Sequence, residues 1–336
     1  MLTRLLGRAA CVWAALAFVP AWGQGTPAAQ PSEVRAWLLR IHEAASRRNF
    51  QGTFIVSGGG AMASARISHF HEGPNQFERI ESLDGRQRQV FRHNDIVHTI
   101  WPGSHVALIE QRGLLSSFPA LLQSGDDGIA EWYDVRPQGV ERVAGHEADV
   151  LAVQARDAHR YGYRLWADRA SGLLLRADVI GEHGGVLETS AFSDVVIGGR
   201  SQGAGVLQAM KKLDGYRVVR PVLVATRLED EGWTLRKAAP GFRPVSSVRR
   251  QIESPADTEA VVLPPVIQSI WSDGLTYVSL FIEPFHAERH SRPLLAAIGA
   301  TSTLSQRHGE WWITVVGDTP PATLKSFATA LERRKP

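Results

Sequence analysis

His69 and His71 stand two residues apart in a run that alternates like a β-strand, so both rings point to one face and could grip a metal ion. Third and fourth ligands do not follow, because Glu72 falls on the opposite face; the pair reads as a polar strand face and no metal is expected. Nucleophilic catalysis has no better footing. Serines, acids and 12 histidines are numerous enough to draw a triad anywhere, and the expectation is that no Gly-x-Ser-x-Gly elbow occurs. The glycine-rich stretch from Gly198 to Gly205 lacks the Gly-x-Gly-x-x-Gly spacing and the Lys-Ser/Thr ending of a phosphate loop. Neither a catalytic residue nor a cofactor is expected.

Binding chemistry is better represented. Arginines recur at Arg86, Arg88 and Arg92, and again at Arg217, Arg220, Arg227, Arg236, Arg243, Arg249 and Arg250. A guanidinium fork suits carboxylate or phosphate, so Arg86, Arg88, Arg220, Arg227, Arg243, Arg249 and Arg250 are candidates for receiving an acidic or phosphorylated partner; a solvated face is the alternative for any one of them. Phe54, Trp101, Trp132, Tyr163 and Trp166, with Val56 and Leu165, fall on strand-like runs. Core packing explains each singly, but an open sheet lined by such residues is also a cavity suited to an acyl chain or an apolar peptide.

The elements that must position them follow from periodicity. Ser32 can cap a helix over 33–48, with Val34, Trp37, Leu38, Ile41 and Ala45 as its apolar stripe. A strand over 50–57 ends at Gly58-Gly59-Gly60, which reads as a hairpin turn before it reads as an anion cradle. Strand-like runs then lie near 63–71, 76–83, 86–93, 96–101 and 104–110, separated by Gly73-Pro74-Asn75, Asp84-Gly85, Asn94-Asp95 and Pro102-Gly103. A short helix is expected around 118–123, and strands resume near 132–143, 146–156, 160–168, 173–181 and 186–196. About ten strands behind one helix predict a strongly curved sheet or open barrel with helices in its concavity. The pattern decays over 199–222, taken as a linker. Beyond it, strands are expected near 233–237, 244–251, 266–272, 275–283, 301–307 and 310–316. Ser291-Arg292-Pro293 opens a short helix through Leu294, Leu295 and Ile298, stopped by Gly299, and Pro320-Pro321 starts a last helix carrying Leu324, Phe327, Ala328 and Leu331. The expected organisation is a leader (1–23), an open-barrel domain (24–198), the linker (199–222) and a smaller α+β domain (223–336).

Composition agrees with an α+β globular chain. The 336 residues are 44% hydrophobic and 21% charged, which excludes wholesale disorder, collagen and a multi-span membrane protein. A formal charge of +3 is too small to argue for nucleic acid. Arg4 and Arg8, an apolar run over 9–19, Pro20 and Ala21-Trp22-Gly23 have the three-part layout of a secretory leader, and cleavage after Gly23 would remove Cys11, the single cysteine. The expectation is an exported chain without disulfides.

Longer stretches carry a resemblance. Leu83-Asp84-Gly85-Arg86-Gln87-Arg88-Gln89-Val90, Ala155-Arg156-Asp157 leading to Arg160-Tyr161-Gly162-Tyr163-Arg164-Leu165-Trp166-Ala167-Asp168, Trp271-Ser272-Asp273-Gly274-Leu275 leading to Val278-Ser279, and Val316-Gly317-Asp318-Thr319-Pro320-Pro321 resemble the RseB/MucB family of periplasmic sigma-E regulators, in order and spacing over about 33–332. The resemblance implies a larger domain like the carriers LolA and LolB, an unclosed antiparallel β-barrel with helices in its concavity, followed by the smaller domain. It further implies a periplasmic protein without catalytic residues. Such a protein binds the periplasmic region of a membrane-embedded anti-sigma factor (RseA/MucA-like) and shields it from the first protease of a cascade, and lipopolysaccharide or lipoprotein acyl chains relieve the shielding. A periplasmic lipid or lipoprotein carrier is the alternative, disfavoured by the second domain; an envelope hydrolase lacks its motifs. Oligomeric state is left open.

Overall fold

The computed structural model describes residues 30–111, 129–236, 239–250, 264–290 and 292–334. The leader and the helix expected near 118–123 lie outside them.

Helix α1 (Pro31–Arg47) opens the fold. Its cap is Gln30 rather than Ser32: the Gln30 backbone N–H donates to the Glu33 carboxylate at 3.0 Å, which places the first turn two positions earlier than the serine suggested. Two antiparallel meanders follow. The first runs through β1 (Phe50–Gly58), β2 (Ala61–Glu72), β3 (Asn75–Ser82), β4 (Gln89–His93), β5 (Ile96–Trp101) and β6 (Val106–Gln111). After the short α2 (Ile129–Trp132), the second runs through β7 (Tyr133–Val143), β8 (His146–Ala155), β9 (Gly162–Asp168), β10 (Leu174–Ile180) and β11 (Val186–Ile197). β11 returns to pair with β1, so one 12-stranded sheet runs β12-β6-β5-β4-β3-β2-β1-β11-β10-β9-β8-β7, where β12 is Arg217–Val219. Its ends, β12 and β7, do not pair with each other, so the sheet is unclosed.

Helix α1 buries Val34, Leu38 and Ile41 against Tyr133, Val135, Leu151, Leu165 and their neighbours, while Ala44 joins a second cluster built on Phe50, Phe54, Trp166, Leu175 and Phe192. Two clusters arise because successive residues of a strand alternate faces. The stretch 199–222, expected to be a linker, instead holds α3 (Gly203–Lys211) and β12. Val206 and Met210 of α3 bury against Phe70, Phe77, Phe91, Ile100 and Ala107. Of the glycines that made 198–205 read as loop, Gly203 is used for contact: a Cβ there would lie 2.5 Å from the Phe77 ring.

A second, 7-stranded antiparallel sheet has the order β13-β15-β16-β17-β20-β19-β18, its strands being β13 (Leu223–Ala225), β15 (Arg243–Arg250), β16 (Val266–Ser272), β17 (Tyr277–Pro284), β18 (Leu294–Ile298), β19 (Thr301–His308) and β20 (Trp311–Gly317). A two-stranded ribbon joins β14 (Trp233–Leu235) to β21 (Leu331–Arg333). Helix α4 (Pro321–Ala330) lays Leu324, Phe327 and Ala328 on the core formed by Trp233, Phe242, Val278, Leu280, Ile282, Ile313 and Val315. One element is corrected: the short helix expected from Pro293 to Gly299 is strand β18. Five residues are too few to nucleate an isolated helix, and Gly299-Ala300 is a two-residue hairpin turn that pairs Ile298 with Thr301 and Leu294 with Ser305.

Candidate functional site

The seam between the two sheets is built around one buried ion pair. Arg160, in the β8–β9 loop, donates from Nε to Asp273 Oδ2 at 2.8 Å, and neither side chain has any exposed surface. Asp273 sits in the β16–β17 hairpin, where its other oxygen accepts the backbone N–H groups of Leu275 (3.0 Å) and Thr276 (2.9 Å). Tyr133, at the start of β7, donates its hydroxyl to Asp273 Oδ2 at 2.9 Å. The remaining guanidinium nitrogens of Arg160 donate to the Asp157 carboxylate and the Pro240 carbonyl. Its plane lies among the rings of Trp132 (4.9 Å to the centre), Phe242 (5.3 Å) and Tyr133 (5.7 Å). A charge pair taken from water needs this degree of hydrogen bonding to offset its desolvation. Burial, and then the Asp273 charge, push the Tyr133 phenol well above its ordinary range, so it stays a proton donor.

Other contacts lock the same seam. Leu275 is buried in the core of α1 and β7–β10, and Thr323 on α4 donates to the His159 carbonyl at 2.7 Å. Arg250 of β15 pairs at 2.6 Å with Glu110 of β6, whose side chain is buried. Gly241, at φ +83°, lies so close to Trp132 that a Cβ would sit 2.6 Å from the indole. The β1–β2 hairpin tip meets the β18–β19 turn: a Cβ on Gly59, itself at φ +58°, would lie 2.6 Å from the Gly299 nitrogen.

Between the sheets these contacts leave an apolar cavity of about 170 Å³. Phe54, Tyr163, Leu175 and Ala177 line it from the first sheet, and Leu275 and Tyr277 from the second. Glu188 and Asp318 stand at its wall. Burial, helped by the Asp318 charge, raises the pKa of Glu188, and burial likewise raises that of Tyr277. The volume is below the roughly 300–1,000 Å³ of a pocket for a drug-sized ligand, so it suits a short apolar segment rather than a whole lipid. A larger and more polar cleft of about 700 Å³ runs past Gln154, Asp157, Arg160, Arg164 and Glu182.

The residues expected from sequence to line one apolar cavity are distributed. Phe54 and Tyr163 line the seam cavity. Val56 packs beside Phe54, and Leu165 is core beneath α1. Trp166, adjacent to Leu165, necessarily takes the other face; it donates to Glu141 at 2.8 Å and lies under Arg176 (4.4 Å). Trp132 belongs to the Arg160 cluster, and Trp101 is half-buried at the end of β5. Three of the candidate arginines are engaged by carboxylates. Arg249 is held by Glu231 at 2.7 Å, Arg250 by Glu110, and Arg227 stands 3.6 Å from Glu229. Arg86 and Arg88 are exposed before β4, Arg220 after β12, and Arg243 at the start of β15.

Two readings of chemistry are also placed. His69 is buried between Glu78 (3.2 Å) and the Ser46 carbonyl (3.3 Å), and among the described residues no group of three or more His, Cys, Asp or Glu is arranged to hold a metal. The expectation of no Gly-x-Ser-x-Gly spacing is corrected: Gly199-Arg200-Ser201-Gln202-Gly203 has it, on the turn from β11 to α3. Ser201 Oγ there accepts the Gly203 N–H at 3.1 Å, a helix-start contact, and no base is hydrogen-bonded to it among the described residues.

Sequence reasoning missed Arg160, Asp273 and Tyr133. The signal was present: Arg160 and Asp273 belong to two of the stretches that carry the family resemblance, and the structure brings those stretches into contact.

Comparison with known proteins decides the family. The MucB/RseB N-terminal domain model matches residues 33–211, more than half of the chain, and the MucB/RseB C-terminal domain model matches 227–332. The chain belongs to the MucB/RseB family. It is 32% identical over 317 residues to the sigma factor AlgU regulatory protein MucB of Pseudomonas aeruginosa, covering 91% of this chain and 92% of that one. To the sigma-E factor regulatory protein RseB of Escherichia coli K12 it is 25% identical over 296 residues, covering 87% and 88%. Among solved structures, MucB in complex with MucA(peri) superposes with a TM-score of 0.65 at 28% identity over 91% of this chain and all of that one. A crystal structure of MucB alone gives 0.64 at 26% identity over 90% and 98%. The seam joins the segments matched by the two MucB/RseB domain models, since Arg160 lies in the first and Asp273 in the second.

Proposed function

We propose that this MucB/RseB member is a periplasmic negative regulator of a sigma-E-type envelope-stress response. It binds the periplasmic region of an anti-sigma factor, shields it from the first protease, and is released by lipopolysaccharide or lipoprotein acyl chains. The observation that carries this reading is the likeness to MucB solved with MucA(peri), which extends over 91% of the chain and therefore over both halves of the seam. The chain acts by covering a polypeptide: the cleavable fraction falls by mass action, without bond-making. The seam cavity gives the release step a physical basis. An acyl chain entering between Tyr163 and Tyr277 would separate contacts that Arg160 and Asp273 hold, and it releases the partner only if it binds the partner-free form more tightly. A carrier would need the open sheet but not the locked seam.

The test is protease protection. The periplasmic polypeptide of the cognate anti-sigma factor should be spared in proportion to added chain, up to one equivalent, and a short acylated peptide should restore cleavage. Transfer of lipid to an acceptor without any protection would support the carrier instead.

A further inference from the structure

Among the described residues, every outermost strand but one is guarded against further pairing. β7 carries Arg136, Pro137, Glu141 and Arg142 and a register shift between Pro137 and Val140. β12 and β13 are three residues long with Pro221 between them, and the part of β15 left open beyond β13 holds Arg243, Pro244 and a second register shift. The β14–β21 ribbon has three-residue strands, with Glu332 and Arg333 on β21. Charges, prolines, irregularities and short length are the devices by which edges avoid adding another strand.

β18 has none of them. Leu294-Leu295-Ala296-Ala297-Ile298 is uncharged, pairs with β19 without a shift, and is exposed at all five positions; Ile298 is 70% exposed and Leu294 51%. β18 is the last strand of its sheet, so among the described residues its outer row of backbone N–H and C=O groups has no partner strand. Near its N-terminal end Arg292 is exposed and in no ion pair among the described residues, while Arg289 reaches Glu283 at 4.0 Å and Glu288 is exposed beside it. Its other end abuts the first sheet's hairpin, where Ile298 packs against Gly59 and the following Ala61, Met62 and Ala63 are exposed.

The geometry points to β18 as a strand-addition site for an extended, mainly apolar segment of the polypeptide partner, with an acidic residue set against Arg292. This rests on the regulator reading above and names the surface that would do the covering. The ladder sets the partner's conformation, because only an extended chain satisfies a free edge. Arg292 sets its charge. The crowding at Gly299 sets its size: a slender strand passes the hairpin tip, whereas a second folded copy would bring its own hairpin alongside. Five residues of edge also fall well short of the roughly 800 Å² per partner of a stable protein interface, which suits one contact within a longer wrapped segment better than a dimer.

The test uses the full chain and, as probe, the fluorescently labelled periplasmic polypeptide of the cognate anti-sigma factor. Ala296→Lys and Ile298→Lys place a charge on exposed positions, and Val245→Lys does the same on the guarded edge. The expected result is affinity weakened about tenfold or more by the first two and within about twofold of the parent for the third. Unfolding midpoints should be unchanged, and amide exchange at 294–298 should slow when the probe binds to the unaltered chain. Unchanged affinity in both β18 variants with unprotected 294–298 amides overturns the assignment while leaving the regulator reading intact. No binding by the unaltered chain overturns both. A concentration-dependent dimer abolished by Ala296→Lys, without any effect on the probe, assigns the edge to a second copy instead.

Discussion

Asp273→Asn keeps the shape of the seam and removes its charge. In the parent, one carboxylate holds Arg160 at 2.8 Å, Tyr133 at 2.9 Å and two backbone N–H groups at 2.9 and 3.0 Å. The asparagine oxygen can keep the two backbone bonds, but its NH2 then faces two donors. The guanidinium is left with Asp157, whose side chain is 26% exposed, and a carbonyl as its polar partners. At an effective dielectric of about 20, two unit charges at this separation attract by roughly 6 kcal/mol, and removing one partner of a buried pair costs about 3–5 kcal/mol in practice. Asp157 compensates in part, so about 3 kcal/mol is expected. Urea unfolding followed by tryptophan fluorescence reads it: the midpoint falls, and the single transition splits as the two sheets lose their coupling. Arg160→Met combined with Asp273→Leu should not recover the loss, since Asp157 then loses its guanidinium and the Tyr133 hydroxyl and the Leu275 and Thr276 N–H groups lose their acceptor. A variant within about 1 kcal/mol of the parent, still unfolding in one step, would refute the argument that this pair couples the sheets.

Other outcomes follow from the same contacts. Gly59→Val forces a β-branched residue into φ +58° with its Cβ 2.6 Å from the Gly299 nitrogen, so the seam should loosen by about 1–3 kcal/mol; urea midpoints measure it. Phe327→Ala empties the centre of the second core, where Phe327 has no exposed surface, and should cost about 3–5 kcal/mol by the same measurement. Glu188 has its pKa raised in the folded state by burial, so the folded chain binds its proton more readily than the unfolded chain, and this residue's contribution to stability declines as pH rises above 4.5. Glu188→Gln should therefore be more stable than the parent near pH 7, with the difference shrinking toward about pH 4; a pH-independent difference contradicts the assignment.

The strands of the first sheet were legible because turn chemistry punctuates them: Asn94 takes φ +54° between β4 and β5, and Gly73 takes φ +57° between β2 and β3. Helix α3 was not, because Gly203 and Gly205 read as loop when the signal was the approach to Phe77. β18 was mistaken for a helix because Leu and Ala favour one; pairing with Thr301–Ser305 overrode that propensity. The apolar site was half legible. Aromatic residues on strands located Phe54 and Tyr163, but a list drawn without regard to alternation placed Leu165 and Trp166 on one face. The ion pair at the seam was illegible as an interaction, since Arg160 and Asp273 are 113 positions apart and each alone looks like an ordinary solvated charge.

Calorimetric titration of the cognate anti-sigma polypeptide into the chain, repeated at rising concentrations of a short acylated peptide, tests the account most directly. If the seam is one coupled site, the apparent affinity for the polypeptide falls and then levels off, and the polypeptide weakens acyl binding by the same factor. Undiminished polypeptide affinity at saturating acyl peptide would contradict it.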